Sequence, residues 1–433
     1  MYNDNYNPKR KIPYDNEPIN RNTPEPKRES RRRLGFIDSL QFVICLLLVF
    51  AVVLTYSKVS KISHERAIYN LDISSTETVG LATAASKGML STVNVGAMKK
   101  EYVGHRSMKT TDDFFDNNNS WGSGVIYKID EGSGDAWIIT NYHVVANASS
   151  VSYKKGYGAY SILLWDGVAP IQATLVGGSS VYDIAVLKIS NKEALSNSSC
   201  RSVDVAVSTN IALGDSCVAI GNSRANNLRV STGVVAVEEM AFRSSSGDNV
   251  TFLSHTAPIN GGNSGGGLYN ASGELIGIVN AKYADVNDDG TIKDEVVQGI
   301  FYAIPSSIAV SVAKNIIRNN GALKKPNIGL AYGKTYEWKE KTMNISDTDG
   351  RLRTTYSIKM LQSSGKFLVS DEIISVSYTL KNGTKVEDNL DHMSSIESHI
   401  YNWEKDMVVS FRVKRAGLER TIDVTVNELI DVA

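Results

Sequence analysis

Neither sign of charge prevails in this chain: its 433 residues hold 46 Lys and Arg against 46 Asp and Glu. No basic excess is available to neutralise phosphates, so nucleic acid is not an expected partner. Cysteine is scarce as well, with Cys45, Cys200 and Cys217 the only three. No Cys-x-x-Cys or Cys/His grouping exists, which excludes a structural zinc site. Cys45 lies inside an apolar run. Cys200 and Cys217 would be free to meet in an oxidising compartment, but spacing alone does not pair them. The plainer reading is two unpaired thiols, with Cys217 a small core residue in a strand. Long hydrophobic runs are also nearly absent, and the one that exists is informative.

That run follows a polar leader. Residues 1–35 are rich in Asn, Pro, Lys and Arg, lack apolar periodicity and read as a disordered basic tail. Its end is a cluster, Lys27-Arg28 and Arg31-Arg32-Arg33. Phe36 to Tyr56 comes next, unbroken in apolar character from Phe42 to Leu54. With its flanks it reaches the ~20 residues that a helix needs to cross a bilayer. The cationic cluster is expected to stay in the cytoplasm and the remainder of the chain outside it. A cleaved signal peptide is disfavoured, because no clear small-x-small cleavage site follows and the basic leader is long.

Residues 57–75 read as a polar spacer and Thr78 to Leu90 as helix. Beyond it the patterning changes to short strands broken by Gly, Asn, Asp and Ser. One set runs through Gly124–Lys128, Ala136–Thr140, Tyr160–Leu164, Ile171–Leu175 and Ile184–Ile189. A second set runs through Cys217–Ile220, Leu228–Val237, Val250–Leu253, Leu275–Val279 and Gly299–Ile304. Many short strands at this spacing predict a mainly β fold, and two sets predict two barrels. Pro305-Ser-Ser opens a helix to Arg318 with Gly321 as its stop. Lys324-Lys325-Pro326 reads as a linker after a domain spanning 76–322. Residues 327–433 then form a smaller α+β unit, with a helical stretch at Ser394–Trp403 among four strands.

Three short segments carry chemistry. In Gly262-Asn263-Ser264-Gly265-Gly266 a serine sits on backbone that glycine lets bend sharply. Such a turn can aim backbone N–H groups of Gly262, Asn263 and Ser264 at one point, where an acyl-transfer transition state develops negative charge. Serine needs a base. His143, directly after the strand Ala136–Thr140, is placed to be one at a barrel end. A base needs an orienting carboxylate. Asp183, at the head of the apolar strand Ile184–Ile189, would be costly to bury unless paired. Each residue alone has a bland explanation: an incidental hairpin serine, a core histidine, a surface acid. Together they follow the order His, Asp, Ser, each at a strand edge, with His143 and Asp183 in the first strand set and Ser264 in the second. A cleft between two barrels would gather them.

Thr140-Asn141-Tyr142-His143-Val144-Val145, Tyr182-Asp183-Ile184-Ala185-Val186-Leu187-Lys188 and Asn260-Gly261-Gly262-Asn263-Ser264-Gly265-Gly266 resemble the HtrA/DegP-like serine proteases. So do Val218–Asn222, Ser231–Gly233 and Phe301–Pro305. The resemblance covers roughly 76–320. It implies a chymotrypsin-like double barrel, no cofactor, and ATP-independent cleavage of misfolded or regulatory envelope proteins by trimers or larger assemblies. It also implies a layout of N-terminal anchor, protease and PDZ domain. The family usually has Pro where Gly261 and Gly267 stand, and Asp where Thr256 stands. Residues 327–433 resemble a divergent PDZ domain through Leu368–Ile374, Arg415-Ala-Gly417 and Thr421–Val426. Ile328-Gly329-Leu330-Ala331 would begin its carboxylate-holding loop, for a peptide added as a strand.

Thr256, Ala257, Pro258 and Ile259 are expected to line the substrate pocket. His255–Asn260 contains no carboxylate, so the cleaved position should take small or medium apolar side chains, not Lys or Arg. Asp285-Val-Asn287-Asp-Asp289-Gly290-Thr-Ile292 matches the first eight positions of a calcium loop, but Val296 stands where the twelfth position needs an acid. A solvated turn is the expected reading. The competing class for the whole chain is a chaperone-like or peptide-sensing scaffold on a mostly inactive protease fold, and the complete His/Asp/Ser set favours the enzyme.

Overall fold

The computed structural model describes residues 73–99, 109–149, 159–207, 211–223, 227–243, 249–280, 299–345 and 349–432. The basic tail, the apolar run Phe36–Tyr56, most of the spacer, Cys45 and the Asp285–Ile292 turn lie outside these residues. Among the described residues no helix is long and apolar enough to cross a membrane.

Helix α1 (Ile73–Ser91) leads into β1 (Thr92–Met98). Then follow α2 (Thr111–Asn117), β2 (Asn118–Asp130), β3 (Asp135–Thr140), α3 (Tyr142–Ser149), β4 (Tyr160–Leu164), β5 (Ile171–Ser179) and β6 (Ile184–Ser190). These six strands close a barrel in the order β1-β2-β3-β6-β5-β4. Alternate side chains of its strands point inward, as the pleat requires, so Val93, Val95, Ile126, Ile138, Ile162 and Leu187 fill the interior. Closure leaves no open sheet edge.

After α4 (Lys192–Ser196) come β7 (Ser216–Gly221), β8 (Arg229–Arg243), β9 (Asn249–His255), β10 (Gly267–Asn270), β11 (Leu275–Asn280) and β12 (Phe301–Pro305). They close a second six-stranded barrel, β10-β11-β12-β9-β8-β7. Cys217, Val235, Leu253, Leu268, Ile276 and Val279 lie in its core. The two-barrel expectation agrees with this architecture. Two of the barrel strands, β1 and β10, were not anticipated. Cys200 and Cys217 are both buried and free, so no bridge joins them. Burial pushes the Cys217 thiol up to about 12, which keeps it an inert core thiol.

Helix α5 (Ser306–Arg318) starts after Pro305. It buries Ile308, Ala309, Val312, Ala313 and Ile316, a spacing that puts them on one face. Gly321, at φ 105°, ends it by sending its N–H to the Ile316 carbonyl at 2.8 Å. The expected linker Lys324–Pro326 is instead a strand, β13. It pairs antiparallel with β20 (Leu429–Asp431), so the chain's last strand returns to the start of the C-terminal unit. Between them lie β14 (Tyr336–Ile345), β15 (Leu352–Met360), β16 (Glu372–Thr379), β17 (Lys385–Asn389), α6 (Ser395–Ile400), β18 (Val408–Arg415) and β19 (Leu418–Thr425). The sheet order is β14-β15-β16-β18-β19, with β17 paired to β16. Trp403, Phe367 and Phe411 meet edge-to-face in its core, with ring centroids 5.2 and 5.7 Å apart. Full burial of a Phe of this kind stabilises by about 1.5–3 kcal/mol.

Candidate active site

The turn between β5 and β6 ends at Asp183, whose φ of 52° is left-handed. Aspartate adopts that conformation at smaller cost than most residues. The backbone is thereby turned so that the Asp183 carbonyl accepts the N–H of Tyr142 at 3.1 Å and the side-chain amide of Asn141 at 3.0 Å. The carboxylate faces the first turn of α3. Its Oδ1 accepts the backbone N–H of His143 at 2.8 Å. Its Oδ2 lies 2.7 Å from His143 Nδ1 and accepts the side-chain amide of Asn280 at 2.9 Å. An ionised carboxylate only accepts, so Nδ1 carries the hydrogen and Nε2 keeps its lone pair. Asp183 is 5% exposed, while the His143 side chain is 26% exposed. The acid is held away from water and the imidazole is open to it.

His143 itself lies in α3, not on bare strand end as its sequence position suggested. Helix geometry explains the difference: the N–H of Tyr142 and of His143 point out of the first turn, where no intrahelical acceptor exists, and Asp183 satisfies both.

Ser264 sits in a double turn between β9 and β10. The Asn263 N–H reaches the Asn260 carbonyl and the Gly266 N–H reaches the Asn263 carbonyl, each at 3.0 Å. Gly262 and Gly265 are left-handed, at φ 99° and 84°. At Gly265 a Cβ would collide with the Ser123 carbonyl and Thr140 Oγ1, so only glycine fits there. The Ser264 carbonyl accepts the Ser123 N–H at 2.8 Å, and Thr140 Oγ1 donates to the Ser123 carbonyl at 2.7 Å. The Gly265 N–H donates to Val279, next to Asn280. The serine turn is thus tied to the end of β3, which leads into His143, and to the end of β11, which holds Asp183. Among the described residues no hydrogen bond joins the Ser264 hydroxyl to the His143 ring. None engages the N–H of Gly262 or Ser264 either, whereas that of Asn263 is committed to Asn260.

The expected pocket residues divide. Ala257 is fully buried in the core of the second barrel. Thr256 uses its hydroxyl on the Val234 N–H at 2.9 Å. Ile259 packs on the edge of that core, and Pro258 is exposed. His255, next to them, is buried, and burial pushes its imidazole down to about 4, so it carries no charge at neutral pH.

Known sequences match this arrangement. A trypsin-like peptidase domain model matches residues 122–278, a span that includes His143, Asp183 and Ser264. The chain is a serine endopeptidase with a trypsin-like domain. It is 29% identical over 325 residues to a Do-like HtrA serine protease of Lactococcus lactis subsp. lactis, across 72% of this chain and 71% of that protein. It is 32% identical over 227 residues to the Do-like HtrA serine protease of Bacillus subtilis, across 51% of this chain and 44% of that one. A probable periplasmic DegP-like serine endoprotease of Buchnera aphidicola is 31% identical over 229 residues, 52% of this chain and 41% of the relative. The chain therefore spans less than half the length of the last two.

Several polar residues around the candidate site escaped sequence reasoning. Asn141 and Asn280 hold Asp183, and Ser123 holds the serine turn. A signal existed for Ser123: a serine between two glycines just before the apolar run Val125-Ile126-Tyr127. Tyr182, beside Asp183, faces the C-terminal unit, its ring edge-to-face with Tyr401 at 5.4 Å. A cavity of about 80 Å³ lies there, lined by Tyr182, Leu330, Tyr336, Glu397 and Tyr401 among others. The Ala331 N–H, expected to help hold a peptide carboxylate, is taken by Thr335 Oγ1 at 2.8 Å. Burial pushes Glu397 in the same cavity up to about 8.

Proposed function

We propose that His143, Asp183 and Ser264 form the catalytic triad of a membrane-anchored, ATP-independent endopeptidase for misfolded or regulatory cell-envelope proteins. The observation that carries the reading is the pairing of His143 Nδ1 with a buried, doubly held Asp183. Asp183 fixes the imidazole tautomer, so Nε2 is the basic atom. Ser264 Oγ attacks the substrate carbonyl carbon as its proton passes to Nε2. The oxyanion is received by the free N–H groups of Gly262 and Ser264. Asn263, whose N–H is occupied, takes no part. One such donor is worth about 3 kcal/mol or more of barrier. The imidazolium then gives the proton to the leaving amine as the C–N bond breaks. Water, deprotonated by Nε2, cleaves the acyl-enzyme and returns the proton to Ser264.

A labelled fluorophosphonate should react at Ser264, and casein cleavage should fall by on the order of 10⁶-fold in Ser264→Ala. Equal cleavage by both proteins would sink the triad. The neutral His255 and the lack of a carboxylate within His255–Asn260 support apolar side chains at the cleaved position, which a peptide library would overturn by showing cleavage after Lys or Arg.

The apolar run Phe36–Tyr56 behind a basic cluster supports a single-pass anchor with the protease domain outside the cytoplasm. The Buchnera relative, named a probable periplasmic endoprotease, agrees in direction. Recovery of the full chain in the soluble fraction of lysed cells would contradict the anchor. Assembly as a trimer or larger and capture of peptides by the C-terminal unit follow from the family resemblance alone. Light scattering on the detergent-extracted chain tests the first, and binding of C-terminal peptides the second.

A further inference from the structure

We infer that Ser123 is a positioning residue for the oxyanion-binding turn: its hydroxyl locks the Gly262–Asn263 peptide so that the N–H groups on either side stay available to the oxyanion. The inference rests on the reading of Ser264 as nucleophile.

Ser123 is fully buried in β2 of the first barrel. Its Oγ accepts the backbone N–H of Asn222 at 2.7 Å. An amide N–H can only donate, so the direction of that bond is settled. The single hydroxyl hydrogen is then left for the Gly262 carbonyl, 2.8 Å away. One hydroxyl therefore joins β2, the end of β7 and the serine turn. The contact is tight: a Cβ on Gly221 would lie 2.9 Å from both Ser123 Oγ and Asn263 Cα.

The Gly262–Asn263 peptide is held at both ends, its carbonyl by Ser123 and its N–H by Asn260 at 3.0 Å. It cannot rotate without breaking two hydrogen bonds. The adjoining peptides carry the free N–H groups of Gly262 and Ser264, and Ser123 also fixes the carbonyl of Ser264 through its own N–H. Gly261 and Gly262 have no Cβ to resist rotation. Without the hydroxyl, only the bond to Asn260 would hold the plane. A turn free to rotate spends part of its time with a carbonyl, not an N–H, toward the oxyanion, and the cost then falls on the transition state more than on bound substrate.

The test uses the full chain as wild type, Ser123→Ala and Ser123→Cys. Three quantities are read: kcat and KM on a peptide substrate, affinity for a peptide boronic acid that forms a tetrahedral adduct at Ser264, and affinity for the product peptide. For Ser123→Ala we expect kcat to fall about tenfold, the value of one hydrogen bond in the transition state. KM and product affinity should hold, and boronate affinity should fall with kcat/KM. Ser123→Cys, with a weaker donor, should lie between. If Ser123→Ala fails to fold, the cysteine variant carries the same comparison. Unchanged kcat, or boronate and product affinities falling together, would overturn the positioning role while wild type still labels at Ser264. A wild type that forms no adduct at Ser264 would overturn the nucleophile assignment and this inference with it.

Discussion

The His143–Asp183 pair and the seat of the C-terminal unit share one dipeptide, Tyr182-Asp183, yet they are built from different chemistry. On the Asp183 side, single polar atoms meet single polar atoms: the carboxylate takes the His143 N–H, faces His143 Nδ1 and takes the Asn280 amide. On the Tyr182 side, rings pack on rings, and acids are buried against hydroxyls and N–H groups. Tyr336 donates to Glu397 at 3.2 Å, Thr354 N–H to Glu238 at 3.0 Å and Ser394 N–H to Glu239 at 3.2 Å. Burial raises all three glutamates above the ordinary carboxylate range. The Asp183 carboxylate orients a histidine, whereas burial pushes the three glutamates toward their neutral form. The same residue type thus serves orientation in one region and packing in the other.

The sharpest way to break this comparison is Asp183→Asn. The amide keeps the volume but turns a donor toward Nδ1, favouring the wrong imidazole tautomer. A loss of roughly 10⁴-fold in kcat is expected, with the melting temperature little changed. A loss under tenfold would show that the pair does not depend on the charge. Tyr401→Ala tests the other side. Removing a buried aromatic ring should cost about 3–5 kcal/mol of stability, seen in denaturant unfolding, with catalysis affected only through Asp183's loop. The mildest test is pH. An acid whose folded value is raised keeps its proton in the fold where the unfolded chain has lost it. Its contribution is full below 4.5, the ordinary glutamate value, and is lost as pH rises through about 8. The melting temperature should therefore decline from pH 5 to pH 9, and Glu397→Gln should flatten part of that slope. An unchanged slope would show that Glu397 does not stay protonated in the fold.

Much of the fold was legible because barrel strands are short, alternate in polarity and end at turn residues. The elements that escaped are those whose partners define them. β10 hides behind the glycine run that serves Ser264. β13 is three residues long, contains Pro326 and exists through its pairing with Leu429–Asp431. The triad candidates stood out because His, Asp and Ser at strand edges are chemically conspicuous. Their supports did not: Asn141, Asn280 and Ser123 act through hydrogen bonds to partners dozens of positions away, and only at Ser123, set between two glycines, does a local pattern mark the position. The pocket reading failed in part at Ala257, since a position close to Ser264 in sequence can still point into the barrel.

The left-handed backbone at Asp183 has a consequence for how this protein should be dissected by mutation. Alanine there would remove a carboxylate and also force a Cβ-bearing residue with no polar side chain to hold a disfavoured torsion. The phenotype would mix lost chemistry with a relaxed loop, and Tyr142, Asn141 and His143 would all shift with it. Asparagine tolerates that torsion, so only the amide reports on the charge by itself.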